Sequence, residues 1–589
     1  MSGSGGQHQS IPRPGTAGAA DRHFYSLAET YLDEMMRLNP FVATYNGYHR
    51  YDPLMDDVSA EGFAAKVAFY EDARRRFCGL DRAGLSLGAA IDLDLISTDI
   101  ASSLFTLQEL RPHENDPQYY NDMIGYGTLY LTILEEGDPA WPERLQALLS
   151  RMRSLPAFLQ AARGQLKAPP PVVTQFIIEQ NPGNISFFER ALPPLFAHHP
   201  ALKREFDAAL PPVLEALRSY QHFLETELRS RSTGDWRLGP ELWSRKLALS
   251  LQSDLPAAEI EQRAWQYLKR ERQAMLEIAE PMYARMFRGR KPEGSGEERM
   301  NAILRDVIGE VSSRHSTADR LLTDCRRWVE RITGFIKSID YIDLPPASDN
   351  FVIEPTPAFL DGMAVAFFNP APSFEPHLKK SFWISTIPKT GDAALDARRT
   401  DSYLREYNDY GLQNLSIHEA FPGHYVQFHH AQTSPIASIY KKVFASATFA
   451  EGWAVLCEEQ MFQLGYAADE PEAMLIHKKM GLRAPMNAIL DARMHSGALD
   501  EAEADRWALD LMQTYGFQEE MEAVRKLRRA KISSTQLSAY FVGYLELADL
   551  LKDYQRLKGP AFKMKEFNNR LLSYGTIPPR AVRSLMLEE

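Results

Sequence analysis

Apolar residues spaced three and four apart recur along most of this chain, and no other feature constrains its fold as strongly. That period puts one apolar stripe on each of many helices, and every stripe must be buried against another element. The segment FYSLAETYLDEMMRL (24–38) shows it and stops before Asn39-Pro40, where proline disfavours helical backbone in the residue ahead of it. Segments 259–287 and 300–313 have the same character. Residues 315–339 and 498–529 read as further amphipathic helices with charged, solvated faces. Two stretches, 164–206 and 343–397, interrupt the pattern with Pro, Asn and Gly. The second contains the short apolar runs MAVAFFNP and SFWISTIP, which suit strands. The expectation is a mainly α-helical protein with a small β element near 350–390. Residues 1–20, rich in Gly, Ser and Pro, are expected to be a disordered tail. Residues 21–589 are expected to form a single helical domain, its helices grouped around a cleft, because no linker marks a boundary.

A chain of 589 residues buries a large core without covalent staples. Its three cysteines, Cys78, Cys325 and Cys457, stand more than 100 residues apart. That spacing excludes a disulfide scaffold, a cysteine-rich zinc module and a CxxC redox site. With 66 Lys+Arg against 78 Asp+Glu, the net charge is −12. A surface of that sign repels phosphate backbones, so nucleic acid is not the expected partner. The first 22 residues carry no apolar core of a secretory signal. No uninterrupted apolar stretch reaches the roughly 18–20 residues that span a bilayer. A cytoplasmic protein without a membrane partner is therefore expected; its oligomeric state does not follow from the sequence.

The chemistry concentrates in IHEAFPGHYVQFHH, residues 417–430. In an HExxH helix, histidines four apart share a face and bind zinc, and the glutamate activates water. Here His424 follows His418 by six positions. An unbroken helix would turn by roughly 600° between them and leave them about 120° apart. Pro422-Gly423 offers a way out, because proline breaks the helical ladder and glycine absorbs the distortion. A third ligand is available in ATFAEGWAVLCEEQ (447–460), where Glu451 lies 27 residues beyond His424. That is room for one helix to end and a second to return alongside. Two histidines and a glutamate leave an open zinc position for water, and Glu419 is placed to take its proton. Glu458, seven residues after Glu451, shares its helical face and suits a group behind the ligands or an anchor for a substrate ammonium. From the residues alone, a hydrogen-bonded structural cluster and a metal-free acid–base site stay open. His429 and His430 point in different directions on a helix, Gln427 suits an orienting role, and Trp453 suits the core.

These segments resemble the bacterial family of unknown function DUF885, whose members look like gluzincin metallopeptidases with an altered motif. The family pattern HEAxPGHxxQ is matched at 418–427, and FxEGWAxYxE from Phe449 to Glu458, with Leu456 at the tyrosine position. In ILDARMHSG (489–497), Asp491 and His495 match, while Arg493 stands where glycine is common. In 529–547, Arg529, Gln536, Tyr540 and Gly543 match and Ser534 replaces a proline. The closing FKMKEFNNRLLSYGTIPPRAVRSLM and NPFVATYNGYHRYDPLMDD (39–57) extend the resemblance over roughly residues 23–587. It implies a large helical zincin-like, gluzincin-related fold with a deep cleft, its catalytic region at 411–547.

The expected reaction is hydrolysis of a short peptide or small amide by a water activated on Zn2+ or another divalent ion. His418, His424 and Glu451 are the expected ligands and Glu419 the general base. Tyr540, His495 and Tyr544 are the candidate donors to the oxyanion, with Tyr540 first. Arg529 suits a substrate carboxylate through its planar fork, and Asp491 suits orientation of His495 or the arginines. Two alternatives stand beside this reading. One is a zinc hydrolase of a non-peptide amide or ester; the other is a noncatalytic helical binding protein with a degenerate site. Rossmann and P-loop chemistry lack the required glycine spacing.

Overall fold

The computed structural model describes residues 11–587 apart from 13, 14, 16, 17, 135, 136, 358, 359, 361–364, 386, 388, 389 and 498. Of the expected N-terminal tail, residues 1–10, 13, 14, 16 and 17 thus lie outside the described residues. Ile11 is buried among the first helices.

Helices occupy most of the described chain, from Ala19–Leu38 to Pro579–Leu587. The periodic segments fold as expected, with helices at Ala257–Met286, Gly296–Ser312 and Leu321–Ser338. Two stretches differ. Residues 164–206, expected to interrupt the helical pattern, are largely helical: Pro171–Ser186 and Pro200–Phe223 each begin on a proline. In the first turn of a helix the missing N–H has no partner to lose, so these prolines mark starts. Within 499–529 the helix breaks in two: Glu501–Asp510, continued by a π-helical turn at Leu511–Tyr515, and Glu520–Ile532. Between them Phe517 takes a φ of 53°, which no right-handed helix accommodates.

The β element lies where the apolar runs place it. Strands β1 (Phe351–Pro355), β2 (Ala366–Asn369) and β3 (Lys380–Ile384) form one sheet in the order β1-β3-β2. β1 is parallel and β2 antiparallel to β3. The central β3 is buried at all five positions and β2 forms an edge. Two large apolar clusters, with a small third at Leu360 and Trp383, support the described residues. One gathers residues of the first 228 with Ile439 and Tyr440, and the other joins the sheet to the C-terminal helices. Among the described residues no helix is long and apolar enough to cross a membrane.

The candidate site rests on helices α1 (Asp409–Glu419), α2 (His424–Thr433), α3 (Ala447–Gln463), α4 (Arg483–Ser496), α5 (Glu520–Ile532) and α6 (Ser538–Lys558). Side-chain caps set two of the starts. Asn408 Oδ1 accepts from the N–H groups of Tyr410 and Gly411, and Ser446 Oγ from that of Phe449. α3 and α6 meet backbone to backbone at Gly452 and Gly543. A Cβ on Gly543 would overlap the Thr448 carbonyl and stand 2.8 Å from Gly452 Cα. This contact sets Glu451 against Tyr540. A larger residue gains helix propensity worth about 1 kcal/mol or less, but no flexible side chain stands in the contact to yield. Gly543→Val is therefore expected to cost about 1–3 kcal/mol of stability, read as a lowered melting temperature.

Candidate metal centre

The chain breaks where the Pro-Gly pair stands. α1 ends at Glu419, Ala420 leaves the helical region at φ −112° and ψ −85°, and α2 begins at His424. The Phe421–Pro422 peptide is cis. Gly423 N–H donates to the Ile417 carbonyl at 3.0 Å, and a Cβ on Gly423 would overlap the carbonyl oxygens of Ile417 and His418. Only glycine fits that fold-back. Trp453, fully buried on α3, donates its indole N–H to the Pro422 carbonyl at 3.0 Å. The consequence is that His418 and His424 face each other, ring centroids 4.8 Å apart and planes at 84°.

Glu451 completes the cluster from α3. Its Oε2 lies 3.4 Å from His418 Nε2 and 3.6 Å from His424 Nε2. One donor atom from each of the three residues falls within a 4.8 Å span. Ligands of a tetrahedral zinc, with bonds of about 2.0–2.1 Å, sit about 3.3 Å from one another. The two glutamate-to-histidine distances match that value closely. Glu451 Oε2 is buried without a hydrogen-bond partner among the described residues, a costly state for a carboxylate unless a cation meets it. Burial pushes this carboxyl up, yet His418 and His424 hold it well below the ordinary range.

Neighbouring groups orient the cluster. His418 Nδ1 lies 2.6 Å from Glu458 Oε1, and Glu458 Oε2 accepts from Asn414 Nδ2 at 2.6 Å. Such a carboxylate fixes the ring so that Nε2 faces the ion. Gln427 Oε1 stands 3.4 Å from His424 Nδ1, its own amide held by Thr576. Glu419 accepts from the Phe368 N–H of edge strand β2 at 2.8 Å through Oε2, and no partner among the described residues claims its other oxygen. Burial raises its pKa above the usual carboxylate value, and the charge of Glu451 adds to this against the two histidines.

The cluster opens into a cavity of about 520 Å³. His418, Glu419, His424, Glu451 and Glu458 line it, as do Arg529 and Tyr540. Tyr540 stacks over His418 at 6.3 Å between ring centroids. Its oxygen accepts from Arg529 at 3.0 Å and from Gln536 at 3.5 Å, which leaves its own proton to donate.

Three candidate residues lie outside this cavity. His495 ends α4 at 1 % exposure, its Nε2 bonded to the Ala530 carbonyl at 2.8 Å. Asp491 is buried and receives the Thr535 N–H and the Ser538 hydroxyl, fastening α4 to the start of α6. Tyr544, one turn beyond Tyr540, meets the Tyr267 hydroxyl at 3.4 Å. His429 pairs with Asp349 and His430 with the Asp343 carbonyl, away from the cluster. Sequence reasoning did not single out the cavity-lining Arg483, Arg525 and Lys526. The signal for Arg525 and Lys526 was the three-and-four spacing of 522, 525, 526 and 529, hidden in a run of charge that resembles a solvated face; Arg483, on another helix, left none.

The profile of a family described as "Bacterial protein of unknown function (DUF885)" matches residues 40–586. No curated protein matches the chain. Among solved structures, a candidate lipoprotein of unknown function from Shewanella oneidensis is 28 % identical, with a TM-score of 0.77, covering 97 % of this chain and 100 % of its own. A candidate lipoprotein from Colwellia psychrerythraea shares the fold at 17 % identity and a TM-score of 0.74, covering 97 % of this chain and 99 % of its own. The likeness to the Shewanella protein overturns the expected cytoplasmic location, since lipoproteins are lipid-anchored outside the cytoplasm.

Proposed function

This chain belongs to the DUF885 family of bacterial proteins, and on that premise we propose that it is a zinc-dependent, gluzincin-like hydrolase of short peptides. One observation carries the reading. A buried carboxylate oxygen of Glu451, without a hydrogen bond among the described residues, faces the Nε2 atoms of two histidines at 3.4 and 3.6 Å, and beside them Glu419 is anchored by one oxygen, with no partner among the described residues on the other. An ion bound by His418, His424 and Glu451 would supply Lewis acidity and an acidified water. Glu419 takes the proton of the attacking water on its free oxygen and returns it to the departing amine. Tyr540 donates its hydroxyl proton to the carbonyl oxygen as negative charge gathers there. Arg529, bonded to the phenol oxygen, fixes the direction of that donation. Edge strand β2 borders the cavity; its Phe368 N–H is taken by Glu419, and an extended peptide would lie along the remaining backbone groups of that edge. That favours peptides over simple esters. The setting we infer is extracytoplasmic, as for the similar lipoproteins.

The test pairs metal analysis of wild type, His418→Ala and Glu451→Gln with a product-resolved assay across short peptides, acyl amino acids and simple esters. Near-stoichiometric zinc is expected in the wild type and little in either variant, with peptide products from the wild type alone. Unchanged occupancy in both variants overturns the ligand set. Turnover of esters without turnover of peptides moves the chemistry to the other hydrolase class.

A further inference from the structure

Around the cavity, charge is distributed unevenly. Helix α5 presents Glu522, Arg525, Lys526 and Arg529 to it, spaced three, four and seven apart as one helical face requires. Glu522 is already engaged, by Arg483 at 3.6 Å and the Tyr407 hydroxyl at 3.0 Å. The other three have no carboxylate within ion-pair distance among the described residues. Lys526 is 7 % exposed and donates to the neutral Asn487 Oδ1 at 3.1 Å. Arg529 donates to Gln536 and Tyr540, and Arg525 lies over the Tyr403 ring at 5.8 Å. A cation at such a site is costly without an anion beside it. Burial and the charges of Arg483 and Arg529 pull Lys526 down to about 7 against the opposing pull of Glu522. An anion arriving there would restore its full charge.

The row also has a direction. It starts at Arg529, 3.0 Å from the Tyr540 hydroxyl, whose ring covers the candidate ligand His418. From Arg529 back to Arg525 a helix rises about 6 Å, and an extended peptide covers that distance in about two residues. We propose that this wall of α5 is a carboxylate subsite for the leaving side of the substrate, so that the protein removes a piece of one or two residues from a free peptide C-terminus. The proposal rests on the peptidase reading above and adds to it the substrate class and the end from which cleavage starts.

The test uses a mixture of randomised tetrapeptides, made once as free acids and once as C-terminal amides. Both are passed over immobilised, zinc-loaded Glu419→Gln protein, and retention is read by mass spectrometry. Free acids are expected to be retained at least about tenfold better, the value of one 1.4 kcal/mol interaction. An Arg525→Gln/Lys526→Met double variant in the same background is expected to lose that preference while keeping its zinc content and melting temperature. Equal retention of both forms, retention of neither, or amides kept only when they carry Asp or Glu side chains each overturns the C-terminal subsite. If the double variant fails to fold, the acid-against-amide comparison on the intact wall still decides. Wild-type digestion of the same mixtures separates the two readings. Cleavage of both forms alike overturns the subsite and leaves a peptidase. Selective retention of free acids with no cleavage leaves the subsite and overturns the peptidase.

Discussion

Glu419→Gln is expected to leave the fold and the zinc content intact and to lower peptide hydrolysis by about 10²- to 10⁴-fold, the usual contribution of a positioned acid–base group. Glutamine has the same shape and still accepts the Phe368 N–H through its carbonyl oxygen, so position is kept while basicity is lost. The candidate ligands come from three other side chains, and removing this negative charge leaves all of them in place. The raised pKa of Glu419 argues in the same direction, because a carboxylate brought nearer neutrality accepts and releases a proton more readily. Metal content, melting temperature and kcat on one short peptide measure the three parts of the expectation. Full turnover by the variant removes Glu419 as the base, and loss of zinc with turnover assigns it a structural role.

Much of this site is legible as residue type and spacing, and little of it as geometry. The Pro422-Gly423 pair announces a broken helix, and glycine is demanded there by carbonyl oxygens that a Cβ would overlap. What spacing does not reveal is the strap that holds the break, the Trp453 indole on the Pro422 carbonyl. A tryptophan in an apolar helix reads as core, and Trp453 is core as well, so its second task leaves no mark in the pattern. His495 and Asp491 show the converse. Their family match draws them toward the chemistry, but α4 turns them into its packing against α5 and α6, where the Ala530 carbonyl and the Thr535 and Ser538 donors claim them. The helical class and the small sheet follow from period and strand-forming runs. Pro171 and Pro200 mislead because proline breaks a helix interior yet suits a helix start, and composition does not distinguish the two positions; Pro182 stands inside a helix all the same.

Glu406→Gln is expected to cost about 3–5 kcal/mol of stability at neutral pH, the effect of leaving buried cations without their anion. Glu406 is 1 % exposed. It meets Lys479 Nζ at 2.8 Å, Arg483 Nη2 at 2.5 Å and the Glu519 N–H at 2.9 Å. Burial pushes this carboxyl up, but Lys479 and Arg483 outweigh it and hold the folded-state value at about 2, against 4.5 ordinarily. A group depressed on folding stabilises above its unfolded pKa and loses that contribution as pH falls through its folded one. The gap between wild type and variant in urea unfolding should therefore be constant above about pH 5 and narrow steadily between about 4.5 and 2. A gap that ignores pH across that window, or one below about 1 kcal/mol at neutral pH, would show that the cations find other partners. Arg483 lines the cavity, and Glu406, together with Glu522, keeps it from adding to the free charge there. The same carboxylate that fastens α4 also bears on which cations remain for a ligand: it engages Arg483 and Lys479, and Arg525, Lys526 and Arg529 are left to face the cavity without an ion-paired carboxylate among the described residues.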